Sequence, residues 1–453
     1  MMLTNGSGKR MMLRNDSGKN PHIRIPQGLR DILPTEASHR RMIENIIREV
    51  FTGWGYGEVI PPTFEYFDYI SRGLGEDKKK GLVRLFDKNG ELLALRSELT
   101  APIARMTAMR FKSMGFPLRL FYFANVFSDE SPRLSHQRER TQAGVELIGS
   151  DSPHADAEVI ALVIEALLQV GLKDFKIGIG QIDFISKVLR LSGISESDQK
   201  EMKRALVRKD MVAIKNGLKE LGSSRAESIL ETITLRGDAE VIVRASRYAR
   251  DEASSSALAR LSDIHKTLVR SGYRSHIFLD LGIVRDFDYY SSVVFEGYSP
   301  RIGYPFCGGG RYDYLLGMFG VDAPSTGFAI EVERLHDALS REDGEREVKR
   351  PKVLVASAQD NFLDIMSVAS WLRRKGIVAQ HFLGEFSLEE AKTYARRMAM
   401  DFLLIIISME EEMDLIDLKK DLIQRVAPEE MERLMEDQLK TVSVRYRGEG
   451  NDT

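Results

Sequence analysis

The stretch Arg285–Glu296, which reads RDFDYYSSVVFE, and the turn Gly308-Gly309-Gly310-Arg311-Tyr312-Asp313 set a guanidinium, carboxyls and phenols within two apolar strand patterns. Each polar group buried in a strand core must find a partner or stay wet, so such a cluster needs a reason. A small zwitterion supplies one. A fixed arginine binds a carboxylate, while carboxylates and phenols take N–H donors from an amine or a ring. Any one of these acids alone reads more simply as half of a salt bridge at a strand end. Their joint presence favours a ligand pocket over a structural ion-pair network.

The elements that must hold these residues follow from hydrophobic spacing. Thr35 can cap a helix running to about Thr52, with Met42, Ile46 and Val50 along its apolar face, flanked by Ile43, Ile47 and Phe51. Val59-Ile60-Pro61-Pro62 reads as a strand that cannot be central, because proline removes ladder donors. Asn89-Gly90, between Leu82–Phe86 and Leu92–Arg96, signals a hairpin on a primed turn. Residues 118–127 and 139–148 are two further strands around the polar loop Ser128–Arg138, and the four in meander order predict one antiparallel sheet. Asp156–Val170, apolar nearly all round, predicts a helix buried across a sheet face. Residues 182–273 turn to charged, Leu/Ala-rich helical patterns, an inserted helical subdomain. Strands resume at His276–Leu281 and Ser291–Tyr298, and Gly327–Leu335 is a last strand–helix pattern. A charged linker at 341–350 leads to residues 351–445. There Val353–Ala356, Phe362–Lys375, Val378–Phe382, Leu388–Met398 and Phe402–Ile407 alternate strand and helix, predicting a small α/β domain with a parallel sheet.

Composition narrows the classes. At 453 residues the chain exceeds one ordinary core. Its 65 basic and 67 acidic residues leave a formal charge of −2, so no bulk basic field advertises nucleic acid. Residues 351–453 hold 14 basic and 19 acidic residues, a net of −5, which is a poor surface for gripping RNA phosphates. No apolar run approaches the roughly 18 residues of a membrane span. A single cysteine, Cys307, leaves no intrachain disulfide or cysteine metal site, and the eight histidines lack paired-ligand spacing. No metal or other cofactor is expected, and a reducing cytoplasm is the expected setting. Residues 1–24 carry a near-duplicate, MMLTNGSGK against MMLRNDSGK, without a secretory h-region or a full phosphate-loop pattern. A disordered tail is expected there.

After residue 24 the chain resembles the class II histidyl-tRNA synthetase family along nearly its whole length. The likeness is carried by Pro26-Gln27-Gly28-Leu29-Arg30-Asp31, Arg96-x-Glu98-x-Thr100, the Gln142–Glu146 strand, the Arg285 segment, the GGRYD turn, and Gly327-Phe328-Ala329 with Glu333-Arg334-Leu335. The resemblance implies an α+β, class II synthetase-like domain over 25–340: a six-stranded antiparallel sheet with flanking helices and a helical insertion. A small α/β, anticodon-binding-like domain follows. It also implies a histidine pocket. Glu98, Thr100 and Gln142 match positions at the α-amino group, Glu146 and Tyr290 those at the imidazole, with Tyr289 and Tyr312 beside them and Arg285 near the carboxylate. Arg334 and Glu130 are the candidate nucleotide-binding residues.

The nucleotide side departs from the family pattern. Phe-Arg-x-Glu is here Phe127-Ser128-Asp129-Glu130, which removes a charge and sets Asp129 beside the phosphate path. Gly-Arg-x-Arg is Ser135-His136-Gln137-Arg138, and Arg-Gly-Leu-Asp is Arg285-Asp286-Phe287-Asp288. Losing one preorganised donor to a transition state costs about 3–4 kcal/mol, roughly 100–1000-fold in rate. Two such losses leave little amino-acid activation. A histidine pocket beside a damaged activation site resembles the regulatory-subunit paralogues of ATP phosphoribosyltransferase, as does the wording of Cys307–Gly320. That resemblance implies a non-catalytic subunit that binds histidine and self-associates as a dimer through the Glu58–Pro62 element. Its partner would be the short catalytic subunit of the first histidine-biosynthetic enzyme, with no tRNA and no membrane involved. An active histidyl-tRNA synthetase is the alternative, and a synthetase-like chain with another ligand or partner is a third reading.

Overall fold

The computed structural model describes residues 24–111, 113–129, 137–219, 223–285, 287, 289–343, 351–359, 361–407, 413–427, 430 and 433. The expected tail, most of the expected linker, and Glu130, Ser135, His136, Asp286 and Asp288 lie outside these. The chain divides into two compact units, Met1–Arg346 and Glu347–Thr453.

The first unit is organised by a nine-stranded sheet. Its spatial order is Gly57–Glu58, Leu118–Phe127, Glu139–Ile148, Ser325–Glu331, Cys307–Arg311, Val293–Tyr298, Lys176–Gln181, Ile277–Asp280 and Arg236–Gly237. The pairing is antiparallel except that Gly57–Glu58 runs parallel to Leu118–Phe127, and Lys176–Gln181 parallel to Ile277–Asp280. The sheet is therefore wider than six strands and mixed near its margins. The proline-marked strand forms two residues earlier than its apolar pattern suggests. Gly57 and Glu58 pair, Val59 donates a last backbone bond to Phe121 at 2.8 Å, and ladder pairing stops before Pro61.

The four-strand meander does not form one sheet. Arg84–Phe86 and Leu92–Leu95 pair with each other and with Phe64–Tyr66 in a separate three-stranded sheet. The helix Thr100–Arg110 intervenes in sequence and carries the chain to the large sheet. Nor is the first hairpin closed by a two-residue primed turn. Asp87 accepts from the amides of Asn89 and Glu91 on its carboxylate, and Gly90 closes the turn onto the Asp87 carbonyl at φ +83°. An aspartate that bonds the backbone two residues on selects the longer loop.

Two helices cover one face of the large sheet. The first, Pro34–Gly53, starts on Pro34 with Leu33 as its cap, so Thr35 is already helical. Its buried stripe is Ile43, Ile47 and Phe51, one residue later than the row the periodicity centres on. Phe51 meets the rings of Phe121 and Phe328 edge-on, both at 5.7 Å. The second helix, Pro153–Gln169, is capped by the Ser152 hydroxyl. Strand alternation then sorts Glu139–Ile148: Ala143, Val145 and Leu147 enter the helix-covered core, while Gln142 and Glu146 face the opposite side.

Between the flanking strands run the helices Ile182–Leu191, Glu196–Val207, Met211–Gly217, Ser223–Thr234, Glu240–Ala245 and Glu252–Arg270. Their one strand among the described residues, Arg236–Gly237, pairs with Ile277–Asp280. The second unit has Lys352–Ser357 parallel to both Val378–His381 and Phe402–Ile406. Met413–Asp417 and Leu422–Val426 then add antiparallel strands, so this sheet is mixed. Among the described residues no helix is long and apolar enough to cross a membrane.

Candidate functional site

On the opposite face of the large sheet, neighbouring strands align residues with almost no side chain. Ala329 pairs with Gly144 on one side and Gly308 on the other, and Gly327 pairs with Glu146 and with Gly310. This bare floor lets long side chains lie across it. A Cβ on Gly308 would overlap the Arg285 guanidinium, and one on Gly327 would overlap the Glu146 carboxylate. The cavity above the floor measures ≈ 40 Å³. Around it stand all eight residues singled out for a histidine pocket: Glu98, Thr100, Gln142, Glu146, Arg285, Tyr289, Tyr290 and Tyr312. Sequence reasoning did not single out Tyr122 and Phe287, which complete the wall. Tyr122 was findable, because it sits in strand phase with the pocket face of Leu118–Phe127.

The acids here are not the salt-bridge halves that each would be in isolation. Glu98 caps the helix Thr100–Arg110, accepting from the Thr100 amide at 2.6 Å and the Ala101 amide at 3.0 Å. Burial nonetheless pushes its carboxyl up to about 7. Glu146, 1% exposed, accepts from the Tyr312 hydroxyl, with Thr100 on the same cavity wall. Burial pushes it up to about 8; the Tyr312 and Thr100 side chains oppose that, and the nearby Glu98 charge adds to it. The Gln142 carbonyl oxygen Oε1 is buried without a hydrogen-bond partner, an acceptor beside two acids. Phenols enclose the remaining space. Tyr289 lies 5.1 Å from Phe287, 4.9 Å from Tyr290 and 5.8 Å from Tyr312 between ring centroids. Burial raises the pKa of all three tyrosines, so they stand as protonated donors. Arg285 is the cation on this wall. Its Nη1 donates to Glu296 at 2.9 Å, and its Nε is buried with no hydrogen-bond partner.

A second cavity of ≈ 290 Å³ adjoins the first and shares Gln142, Arg285 and Phe287 with it. Ser128, Arg140, Lys209, Glu296, Glu331 and Arg334 are among its walls. Here the cations are engaged from within. Glu331 pairs with Arg140 at 3.0 Å and with Arg334 at 2.6 Å, while Arg334 also donates to the Pro305 carbonyl at 2.7 Å. Arg334 thus faces this cavity sharing one carboxylate with Arg140. Asp129 turns its carboxylate to Arg138 in an ion pair and is not among the residues lining the cavity. The other candidate nucleotide residue, Glu130, lies outside the described residues. Among the described residues no group of His, Cys, Asp and Glu is placed to hold a metal ion.

The ion-pair reading does hold for two other arginines. Arg311, fully buried, donates to Asp156 at 3.0 Å, to Asp313 at 3.0 Å and to the Ser150 carbonyl at 3.0 Å. Arg260 of the helical insertion joins the same Asp156 at 2.9 Å. Arg96 is likewise structural, bonding the carbonyls of Asn125 at 2.8 Å and Pro61 at 2.7 Å.

Residues 28–335 match the family described as histidyl-tRNA synthetase. An ATP phosphoribosyltransferase regulatory subunit of Desulforamulus reducens is 40% identical over 378 residues, covering 83% of this chain and 94% of its own length. One of the same name from Moorella thermoacetica is 42% identical over 318 residues, covering 70% and 82%. The chain belongs to the ATP phosphoribosyltransferase regulatory subunit family. A solved structure from Bacillus halodurans, described as an ATP phosphoribosyltransferase regulatory subunit/histidyl-tRNA synthetase, is similar with a TM-score of 0.75 at 30% identity, over 85% of this chain and 99% of that one. The histidyl-tRNA synthetase from Nostoc shares the fold, with a TM-score of 0.77 at 20% identity over 93% and 99%. This regulatory-subunit family thus wears a class II synthetase fold.

Proposed function

We propose that the chain binds histidine in the small cavity without activating it, and reports that occupancy to a short catalytic subunit of ATP phosphoribosyltransferase with which it assembles. The observation that carries the reading is the set of buried acceptors in the small cavity. The Gln142 oxygen has no hydrogen-bond partner and Glu146 accepts from Tyr312 without an ion pair, while next door Glu331 is shared by Arg140 and Arg334. A histidine would satisfy the first set: its ammonium at Glu98 and Gln142, its ring at Glu146 and Tyr290, its carboxylate at Arg285. On the nucleotide side Ser128 supplies no charge where the family pattern has an arginine. We further propose that two copies associate through the outer edge at Gly57–Glu58, where the following Ile60 is 83% exposed beside a two-residue edge strand. No tRNA is required.

The test has two arms. Mixing the purified chain with a short ATP phosphoribosyltransferase catalytic subunit should give a co-migrating complex with histidine-sensitive activity. Histidine-dependent ATP–pyrophosphate exchange should be absent. Exchange at synthetase-like rates, on the order of 1 s⁻¹ or above, would restore the enzyme reading.

A further inference from the structure

We propose that the pocket holds its ligand ring as an imidazolium cation, the additional proton being the one that Glu146 carries when the pocket is empty. This rests on the reading of the cavity as a histidine site and goes further, to the charge state recognised.

The geometry around Glu146 carries the argument. Gln142 faces the same cavity from its own strand, Tyr122 from Leu118–Phe127, and Glu98 and Thr100 from the start of the Thr100–Arg110 helix. Arg285, Tyr289 and Tyr290 face it from the segment before Val293–Tyr298, and Tyr312 from the end of Cys307–Arg311. Ser325–Glu331 contributes Gly327, Phe328 and Ala329, none of them titratable. Among the described residues, then, Glu146 sees a second acid, four phenols and one arginine, and that arginine is paired with Glu296. A buried carboxyl with no counter-cation keeps its proton. The empty pocket accordingly holds Glu146 up to about 8.

A neutral imidazole arriving there brings one N–H and one bare nitrogen. The Glu146 O–H bond breaks, its electron pair stays on oxygen, and the ring nitrogen's lone pair takes the proton. The new N–H then donates to the carboxylate it came from. Two features favour this charged pair over the neutral one. The Tyr312 hydroxyl already donates to Glu146, a bond that strengthens when the acceptor is ionised. The rings of Phe287, Tyr289, Tyr290 and Tyr312 line the same cavity, and aromatic rings attract a nearby cation. The second ring N–H is left for a phenolic oxygen. Proton exchange at Glu146 and the ring with solvent sums to zero while Glu146 starts protonated, and one proton is drawn from solution once it starts ionised.

Histidine labelled with ¹⁵N in the ring, bound to the full chain near pH 8, tests this by nuclear magnetic resonance. Both bound ring nitrogens should show imidazolium shifts, while free histidine in the same tube is neutral. A bound ring with one protonated and one bare nitrogen overturns the proposal and leaves the histidine site standing; no saturable bound signal overturns both. A triazole analogue of histidine, whose ring stays neutral at this pH, should bind at least about tenfold more weakly, the scale of a lost charge-assisted bond. In Glu146→Gln that preference should shrink to within about twofold. A preference that survives intact in the variant would also overturn it.

Discussion

The two adjoining cavities share Gln142, Arg285 and Phe287 yet treat charge in opposite ways. In the larger one, of ≈ 290 Å³, Arg140 and Arg334 share the Glu331 carboxylate in ion pairs. In the smaller one, of ≈ 40 Å³, the Gln142 carbonyl is buried without a partner and Glu146 accepts from Tyr312 without an ion pair. Removing a charge from water is costly unless it is paired, so the two linings respond differently to the loss of one group. One sheet face thus carries, side by side, a cavity lined by ion pairs and a cavity lined by buried acceptors.

Substitutions should separate the two kinds of region. The largest effect is expected at the fully paired Arg311, whose removal leaves Asp156 buried without its main partner. Arg311→Ala should lower folding stability by about 3–5 kcal/mol in denaturant titration, the usual cost of breaking a buried pair. A loss under 1 kcal/mol would mean that network is not what holds the GGRYD turn. Next comes Gly308→Ala, where the new methyl overlaps only the Arg285 side chain. Histidine affinity should fall at least about tenfold with little change in stability, since a charge-assisted bond is lost and no backbone atom is displaced. Unchanged affinity would remove Arg285 from the pocket.

Glu331→Gln should act on the other cavity alone. Loosening Arg140 and Arg334 is expected to strengthen ATP binding a few-fold, about 1 kcal/mol, and to leave histidine affinity as it was. A matching change in both ligands would show that the cavities are one site. The smallest effect is a slope. Glu98 and Glu146 titrate near 7 and 8 in the folded chain, well above the ordinary carboxylate range, so the folded state binds more protons than the unfolded state in between. Stability contributed by these groups is therefore greatest at low pH and lost as pH rises towards 8. Thermal melts from about pH 5 to pH 8 should show the parent falling more steeply than Glu146→Gln. Parallel slopes would mean that Glu146 is ionised throughout.

Motif order made the pocket legible in the sequence: Glu98 and Thr100 stand in one short motif, Gln142 and Glu146 in one strand pattern, and the other four residues beside two further strand patterns. Strand alternation even fixes which face Gln142 and Glu146 share. What stayed illegible was pairing. Nothing in local spacing shows that Glu331, in one strand, reaches Arg140 in the next, or that Asp156 in a helix meets Arg311, 155 positions on. The edges of the fold were equally hidden. Met413–Asp417 and Leu422–Val426, reading MDLID and LIQRV, keep no strict alternation of polar and apolar residues, and Asp87 reset a hairpin that Asn89-Gly90 alone would have tightened.

The claim that the smaller cavity is a histidine site is tested most directly by calorimetric titration of histidine into the folded parent and into Glu146→Ala. The parent should show one saturable site per chain. The variant should bind about 10–150-fold more weakly, the loss of about 1.5–3 kcal/mol expected for a bond to a charged group. An affinity within about twofold of the parent would contradict the account and make Glu146 part of the scaffold.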